Sequence, residues 1–471
     1  MDGLGRPGGT DMRYENRNVV VLGAGMTGLS LARYLVREGA RVRVADTRAD
    51  PPLAKDLLAA LPGIKLATGP FDDATFEGVD MIAISPGVAK DQPPIAAAVA
   101  RGVELVGDIE LFARALPPGQ KVLAITGTNG KTTVTALTGE LCRAAGLETA
   151  VAGNIGEAVL EVLAAYDPGA VAWPDVFVLE LSSFQLETTW SLKPTAAAVL
   201  NVTDNHLDRY ANLDEYAAAK ARIFAQGGVQ IVNRDDVRSN AMRIPGRTVE
   251  SFGASVPSAE GEWGLVRFDR TTWLAHGGGL LVPIGSLSLV GRHNALNALA
   301  ALALVSTIAR VDRRVLDALK AFEGLPHRMQ RIAEAGRVAY IDDSKATTVV
   351  ATQAALDGIE RPAVLIAGGD GKSQDFRPLK SSVDADCRAV LLIGRDAPLI
   401  AKALEGTPAL VEMVGTLDAA VDRAIALAEP GDAVLLSPAC ASLDQFKNYI
   451  ERGEKFAARV HLRLAQIELH A

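Results

Sequence analysis

With 471 residues, 49% of them apolar and 22% charged, the chain is too long for one hydrophobic core and too apolar for a disordered one. A formal net charge of −8 leaves no basic surplus to neutralise phosphates, which argues against nonspecific nucleic-acid binding. No apolar run approaches the roughly 20 residues that span a bilayer, so no membrane partner is expected.

The three cysteines, Cys142, Cys387 and Cys440, are odd in number and far apart. That spacing fits a reducing compartment and forms neither a disulfide framework nor a zinc pattern. The opening stretch MDGLGRPGGTDMRYENRN has no apolar centre of signal-peptide type. A cytoplasmic location is expected.

A strand–helix rhythm starts three times along the chain. The first begins at Asn18–Leu22, a continuous apolar run of buried-parallel-strand type, and continues through strands ending at Asp46 and at Met81–Ile84. Leu116-Pro117-Pro118-Gly119-Gln120 is a turn-rich break. The second opens at Lys121–Ile125, with strands at Val176–Glu180, 196–202 and Val229–Asn233, and short antiparallel strands from about 247 to 289. After Gly291-Arg292-His293-Asn294 comes an Ala/Leu-rich helix, then a second break at 323–327. The third carries strands at Val338–Asp342, 363–367, 389–394 and 433–437. Strands alternating with helices imply parallel sheets, with ligands at the strand C-terminal ends. The fold class expected is therefore α/β: three domains, each with a mainly parallel sheet, at 1–118, 119–325 and 326–471. The first and third are read as Rossmann-like and the second as P-loop-like.

In the second module a strand runs into Gly127-Thr128-Asn129-Gly130-Lys131-Thr132-Thr133 and then a helix. Glycines let backbone N–H groups wrap a polyphosphate, and a helix N-terminus adds favourable field. Lys131 is placed to reach the β/γ-phosphates and the Thr132 hydroxyl to ligate Mg²⁺. The first glycine of the generic P-loop pattern is absent. Glu180 ends the next strand, where a metal-binding carboxylate belongs; alone, it reads equally as a helix cap. His206 alone reads as a surface or structural histidine, and Lys220 as a solvated lysine on an Ala-rich helix.

Together, Gly-Thr-Asn-Gly-Lys-Thr at 127–132, Glu-Leu-Ser-Ser-Phe-Gln at 180–185 and Asn-Val-Thr-x-x-His-x-Asp-Arg-Tyr at 201–210 resemble the Mur ligase family, in family order. The resemblance spans essentially the whole chain after about residue 17. It implies a uridine-nucleotide domain, a central ATPase domain and a C-terminal amino-acid domain, with ATP and two Mg²⁺ ions as cofactors. By that resemblance Thr132 and Glu180 hold one ion, and His206 with a carbamylated Lys220 supports the other.

The N-terminal turn Gly23-Ala24-Gly25-Met26-Thr27-Gly28 matches G-x-G-x-x-G after a strand, with Asp46 ending the next strand. Taken alone it reads as a dinucleotide site with Asp46 on a ribose hydroxyl. The resemblance places a uridine nucleotide there instead, near Met26, Thr27, Asp46, Thr47, Arg48, Ser85, Pro86 and Gly87. Asn154 and Gln185 would face the muramoyl-peptide end.

Asp342-Asp343-Ser344-Lys345-Ala346-Thr347, Gly368-Gly369-Asp370-Gly371-Lys372 and the string at 436–446 resemble the D-glutamate-adding branch of the family. The Asp-Asn-Pro-Arg signature of the diaminopimelate- or lysine-adding branch is absent. The resemblance implies UDP-N-acetylmuramoyl-L-alanine and D-glutamate as substrates of a monomeric enzyme. Asn297, Arg328 and Asp343 would contact ATP, Lys345 would join Lys131 among the catalytic residues, and Thr347, Lys372, Ser442, Leu443 and Tyr449 would receive D-glutamate. Two positions depart from the usual pattern: Thr348 replaces an asparagine and Tyr449 a phenylalanine. Folylpolyglutamate synthase shares the P-loop and glutamate-adding chemistry, but the Rossmann-like module before the P-loop argues against it. A nucleotide-binding regulatory module without turnover is the other alternative; intact Lys131, Glu180, His206 and Lys220 argue against that.

Overall fold

A computed structural model describes residues 13–166, 172–203, 209–289, 291–359, 361–372 and 374–468. The chain forms two compact units. One runs to Gly253 and adds Ser258–Trp263 and Ala300–Val315. The other comprises Ala254–Pro257, Gly264–Leu299 and the chain from Leu316 onward.

The first unit holds a five-stranded sheet built from β1 (Asn18–Leu22), β2 (Arg41–Asp46), β3 (Lys65–Thr68), β4 (Met81–Ile84) and β5 (Glu104–Val106) in the order β3-β2-β1-β4-β5, all parallel. Its central strands are apolar on both faces. Val20, Leu22 and Ile82 pack on one side with Phe71, Phe76 and Ile95; Val19, Val21 and Met81 pack on the other with Leu31 and Leu35. This is the two-residue alternation of a sheet covered on both faces.

The same unit carries β6 (Lys121–Thr126), β7 (Thr149–Gly153), β8 (Val176–Glu180), β9 (Ala196–Val199), β10 (Val229–Asn233) and β11 (Val249–Phe252) in the order β11-β10-β9-β6-β8-β7, again parallel. β12 (Glu262–Phe268) begins by pairing parallel to β11. The expectation of antiparallel strands throughout 247–289 is corrected here. Val249–Phe252 continues the crossover topology, while β13 (Thr271–His276) and β14 (Gly279–Pro283), in the second unit, form an antiparallel hairpin, with β13 hydrogen-bonded on its other side to β12.

The two parallel sheets of the first unit share one hydrophobic cluster. The helix Asp108–Ala115 carries it: Ile109, Leu111 and Phe112 are fully buried, and Phe112 meets Phe177 of β8 edge-on at 5.1 Å between ring centroids. On the same helix the buried Glu110 accepts from the Trp190 and Ser191 amides and the Ser191 hydroxyl, at 2.8–2.9 Å. At Gly107 a Cβ would lie 2.3 Å from the Thr188 hydroxyl, so the close approach there requires glycine.

The second unit's main sheet has the order β15-β16-β20-β17-β18-β19, from β15 (Gln330–Ala335), β16 (Val338–Asp342), β17 (Ala363–Gly368), β18 (Cys387–Ile393), β19 (Leu410–Gly415) and β20 (Ala433–Leu436). β15 is antiparallel to β16; the other pairs are parallel. Separate apolar clusters cover its two faces, around Ile341, Leu365 and Leu435 on one and Tyr340, Ile366 and Leu436 on the other. No helix among the described residues is long and apolar enough to cross a membrane.

Candidate active site

The loop between β6 and the helix Lys131–Ala144 is held by side chains as well as by its own turns. Asn201, just past β9, accepts the Thr128 and Asn129 amides on Oδ1 at 3.0 and 2.8 Å and returns its Nδ2 to the Asn129 carbonyl at 3.1 Å. The Thr128 hydroxyl bonds the Thr203 backbone and lies 3.4 Å from the buried Tyr216 hydroxyl. Gly130 has φ +80°, the left-handed entry to the helix that a side chain disfavours. Lys131 curls back over this frame, donating to the Gly127 and Thr128 carbonyls at 2.9 and 2.8 Å. A polyphosphate in the loop would have to take Lys131 from those carbonyls.

Lys220 reaches the same loop from the helix Leu213–Ala221. It is 1% exposed, donates to the Gly127 carbonyl at 2.8 Å and lies 4.4 Å from the Tyr216 ring centroid. Burial, aided by the nearby Lys131 charge, lowers its pKa to about 6, so the amine is largely neutral at physiological pH. Glu180 is also buried. One carboxylate oxygen accepts from Asn154 Nδ2 at 2.8 Å, while Oε2 has no hydrogen-bond partner among the described residues. Among those residues no cluster of three or more His, Cys, Asp or Glu makes a ready-built metal cage. A buried carboxylate oxygen without a partner is nevertheless the donor a hard cation requires. His206 lies outside the described residues.

Ser182 and Gln185 cap the short helix that follows β8, each bonding the other's backbone N–H. The Gln185 amide nitrogen donates to the buried Asp108 at 3.0 Å, so its side chain is engaged within the protein.

At the N-terminal turn, a Cβ on Gly28 would sit 1.7 Å from the Gly23 carbonyl oxygen, so helix and turn close only around glycine. Asp46 is buried and accepts the Ala24 amide at 2.7 Å and the Arg48 amide at 2.9 Å, with Arg48 Nε and Nη2 on the same carboxylate. The Arg48 guanidinium holds its pKa down to about 2. Asp46 thus fastens the turn, and Met26, Thr47, Arg48 and Gly87 remain exposed around it; Thr27 and Pro86 are half-buried, and Ser85 is buried with its hydroxyl 3.4 Å from the Gly23 carbonyl.

In the second unit Asp343 lies buried just past the end of β16. It accepts from the Ser437 hydroxyl at 2.8 Å and the Met329 amide at 3.2 Å, and burial raises its pKa to about 7. Lys345 Nζ lies 4.0 Å over the Tyr449 ring. Arg452, fully buried, donates to the Ser344 hydroxyl and carbonyl and the Cys440 carbonyl. It ties the Asp343–Lys345 turn to the loop carrying Ser442 and Leu443. Lys372 and Leu443 are exposed, Ser442 is buried, and Thr347 is half-buried. Asn297 donates to Asn294 at 3.1 Å on the helix Arg292–Ser306.

A ligase from Thiobacillus denitrificans is 52% identical over 469 residues, covering 97% of this chain and 98% of the relative. The chain belongs to the Mur ligase family. That relative, one from Nitrosomonas europaea (50% identical, covering 96% of this chain and 97% of the relative) and one from Chromobacterium violaceum (52%, covering 94% and 97%) are all named UDP-N-acetylmuramoylalanine–D-glutamate ligase. Family models match in order: the MurD-like N-terminal domain at 17–107, the Mur ligase middle domain at 125–305 and the glutamate ligase domain at 327–440. Solved Mur ligases share the fold. MurF from Thermotoga maritima in complex with ADP has a TM-score of 0.59 at 16% identity, covering 96% of this chain and 97% of that one. MurC from the same organism has 0.57 at 19%, covering 95% and 99%.

Within this Mur ligase the structure adds residues that motif reading passed over. Asn201 stood in a quoted motif, but its bond to the loop depends on β9 lying beside β6, which spacing does not reveal. Arg452 and Gln374 lay outside the quoted motifs. The departure at Thr348 has a local explanation: its hydroxyl caps the helix Val349–Asp357 by accepting the Ala351 amide at 3.3 Å, as an asparagine there would.

Proposed function

We propose that this Mur ligase joins D-glutamate to UDP-N-acetylmuramoyl-L-alanine, using ATP, in peptidoglycan precursor synthesis. The observation that carries the chemistry is the β6 loop, in which two lysines, Lys131 and the buried Lys220, converge on one carbonyl close to the P-loop amides. The substrates are those named for relatives at 50–52% identity over nearly the full chain.

The alanyl carboxylate attacks the γ-phosphorus of ATP, giving an acyl phosphate and ADP; the amine of D-glutamate then attacks the acyl carbon and phosphate leaves. Activation is needed because a carboxylate is a poor acylating agent at neutral pH. The protein's part in the first step is positioning and charge neutralisation by the amides of Gly127–Thr133 and the Lys131 ammonium. Two Mg²⁺ ions, one held by Thr132 and Glu180 and the other supported by His206 and a carbamylated Lys220, would neutralise phosphate charge. The neutral amine of Lys220 is the form that attacks the carbon of CO₂, losing a proton, and the resulting carbamate is an anionic oxygen ligand suited to a hard cation.

We assign Asn297, Arg328 and Asp343 to ATP and Lys345 to catalysis. Met26, Thr27, Asp46, Thr47, Arg48, Ser85, Pro86 and Gly87 form the uridine site, with Asn154 and Gln185 toward the muramoyl peptide. Thr347, Lys372, Ser442, Leu443 and Tyr449 receive D-glutamate. The three functional modules are 1–118, 119–325 and 326–471. Every group used lies in one chain, so a monomer suffices, and nucleotide substrates suit the cytoplasm.

The test is phosphate release with ATP, Mg²⁺ and UDP-N-acetylmuramoyl-L-alanine while the amino acid is varied. Release only with D-glutamate is expected; equal turnover with L-glutamate, L-alanine or diaminopimelate overturns the assignment. Lys131→Ala should abolish turnover with all substrates saturating.

A further inference from the structure

Gln374 connects three loops to which the proposed function assigns the amino-acid substrate. Its Oε1 accepts the Val349 amide at 3.1 Å, just after Thr347. Its Nε2 donates to the Gly371 carbonyl at 3.0 Å and lies 3.3 Å from the Thr347 and Ala439 carbonyls, so two hydrogens are shared among three acceptors. Thr347 and Lys372 each lie within one residue of a bonded group, and Ser442 lies three residues beyond Ala439.

The backbone that this amide holds is unusual. Lys372 and Ala439 both have positive φ, +48° and +56°, a region that side chains disfavour. Such conformations persist only where their surroundings over-determine them, and they cluster at ligand sites. The other restraints on the loop come from its own neighbours and from a two-bond bridge in which Asp370 and Ala441 exchange backbone hydrogen bonds at 2.9 and 2.8 Å. Asp396 accepts the Gly371 amide at 2.7 Å, Asp370 accepts the Lys372 amide at 3.0 Å, and a Cβ on Gly371 would lie 2.5 Å from the Phe376 ring. None of these reaches across to Thr347. Gln374 does.

We propose that Gln374 is a positioning residue that sets the spacing of Thr347, Lys372 and Ser442, and thereby the affinity of the amino-acid site. This rests on the assignment of D-glutamate to those loops. A side chain that only capped the helix at Val349 would need Oε1 alone, whereas spacing three loops needs the Nε2 donor. Gln374→Glu keeps the acceptor and removes the donor; Gln374→Met removes both at similar volume.

The experiment is steady-state phosphate release by the full-length enzyme, with KM determined separately for D-glutamate, ATP and the UDP-linked substrate, and Tm measured for each variant. Both variants should raise KM for D-glutamate by about tenfold or more, as loss of a bridging donor implies. KM for the other two substrates should stay within about twofold of wild type. A D-glutamate KM within twofold of wild type in Gln374→Glu overturns the proposal, as do parallel rises in all three KM values. Wild-type turnover distinguishes the levels: if it does not depend on D-glutamate, the underlying assignment fails with the proposal; if it does and the variants are silent, only the role of Gln374 fails.

Discussion

Lys220 and Lys131 share one acceptor, the Gly127 carbonyl, at 2.8 and 2.9 Å. Two ammonium groups on one carbonyl repel, and the buried one yields: the Lys220 pKa falls to about 6, from desolvation first and the Lys131 charge second. Lys220→Ala should therefore be nearly inactive and partly restored by short carboxylic acids, which place an anionic oxygen group in the vacated space. Turnover measured across a series of added acids and amines checks this; restoration by amines alone would mean that the lysine acts as an ammonium.

Asn201 offers a sharper test of the loop than its glycines do. Asn201→Ala releases two amides at the mouth of the phosphate loop, and a rise of about tenfold in KM for ATP is expected, with KM for D-glutamate unchanged. Asn201→Asp keeps an acceptor for those amides but sets a negative charge among groups meant for phosphate. It should be worse than alanine, and nucleotide binding by calorimetry would show the order.

Asp343 links activity to stability through pH. Its folded pKa is raised to about 7 from an ordinary value of 3.8, so between those values the folded chain binds the extra proton. The stability that this proton brings is full below 3.8 and lost as pH rises through 7. Asp343→Asn removes the dependence. Its Tm should gain on wild type from pH 4 to pH 7.5, while turnover falls if the carboxylate serves ATP. A Tm difference independent of pH would contradict the buried-acid account.

Thr348→Asn should leave both turnover and Tm nearly unchanged, because either side chain can cap the helix at Val349. Thr348→Ala should cost about 1 kcal/mol of stability, measured by denaturant unfolding.

The strands read from the sequence and those that escaped it differ in one physical respect. Val176–Glu180 and Val229–Asn233 matched residue for residue, and both are largely buried strands with a neighbour on each side. The strands not anticipated, Lys65–Thr68, Glu104–Val106, Thr149–Gly153, Gln330–Ala335 and Leu410–Gly415, all lie at sheet edges. An edge strand buries less, so its side chains need not form an apolar run, and Lys65–Thr68 contains no fully buried residue. The site divides similarly. Residues within local motifs, such as Lys131 and Glu180, were legible because a loop and strand end fix them. Asn201, Gln374 and Arg452 act across strands distant in sequence, and only the topology brings their partners near.

The helix Asp108–Ala115 has a consequence for how such enzymes exchange parts. Phe112 packs on Phe177, and Glu110 holds the Trp190 and Ser191 amides. Its arginine neighbour, Arg114, reaches back to Glu104 of β5 at 2.7 Å. A chimera that takes its first sheet from another ligase and splices at the Leu116–Gln120 turn would import a foreign Glu110 and Phe112 against a native Phe177 and Trp190. A splice at Gly107, which passes Thr188 closely, keeps those contacts native. It instead crosses the Arg114–Glu104 pair, the Arg13 hydrogen bonds to the Arg114 and Ala115 carbonyls, and the apolar cluster that the helix shares with the first sheet, so neither junction is free of cost.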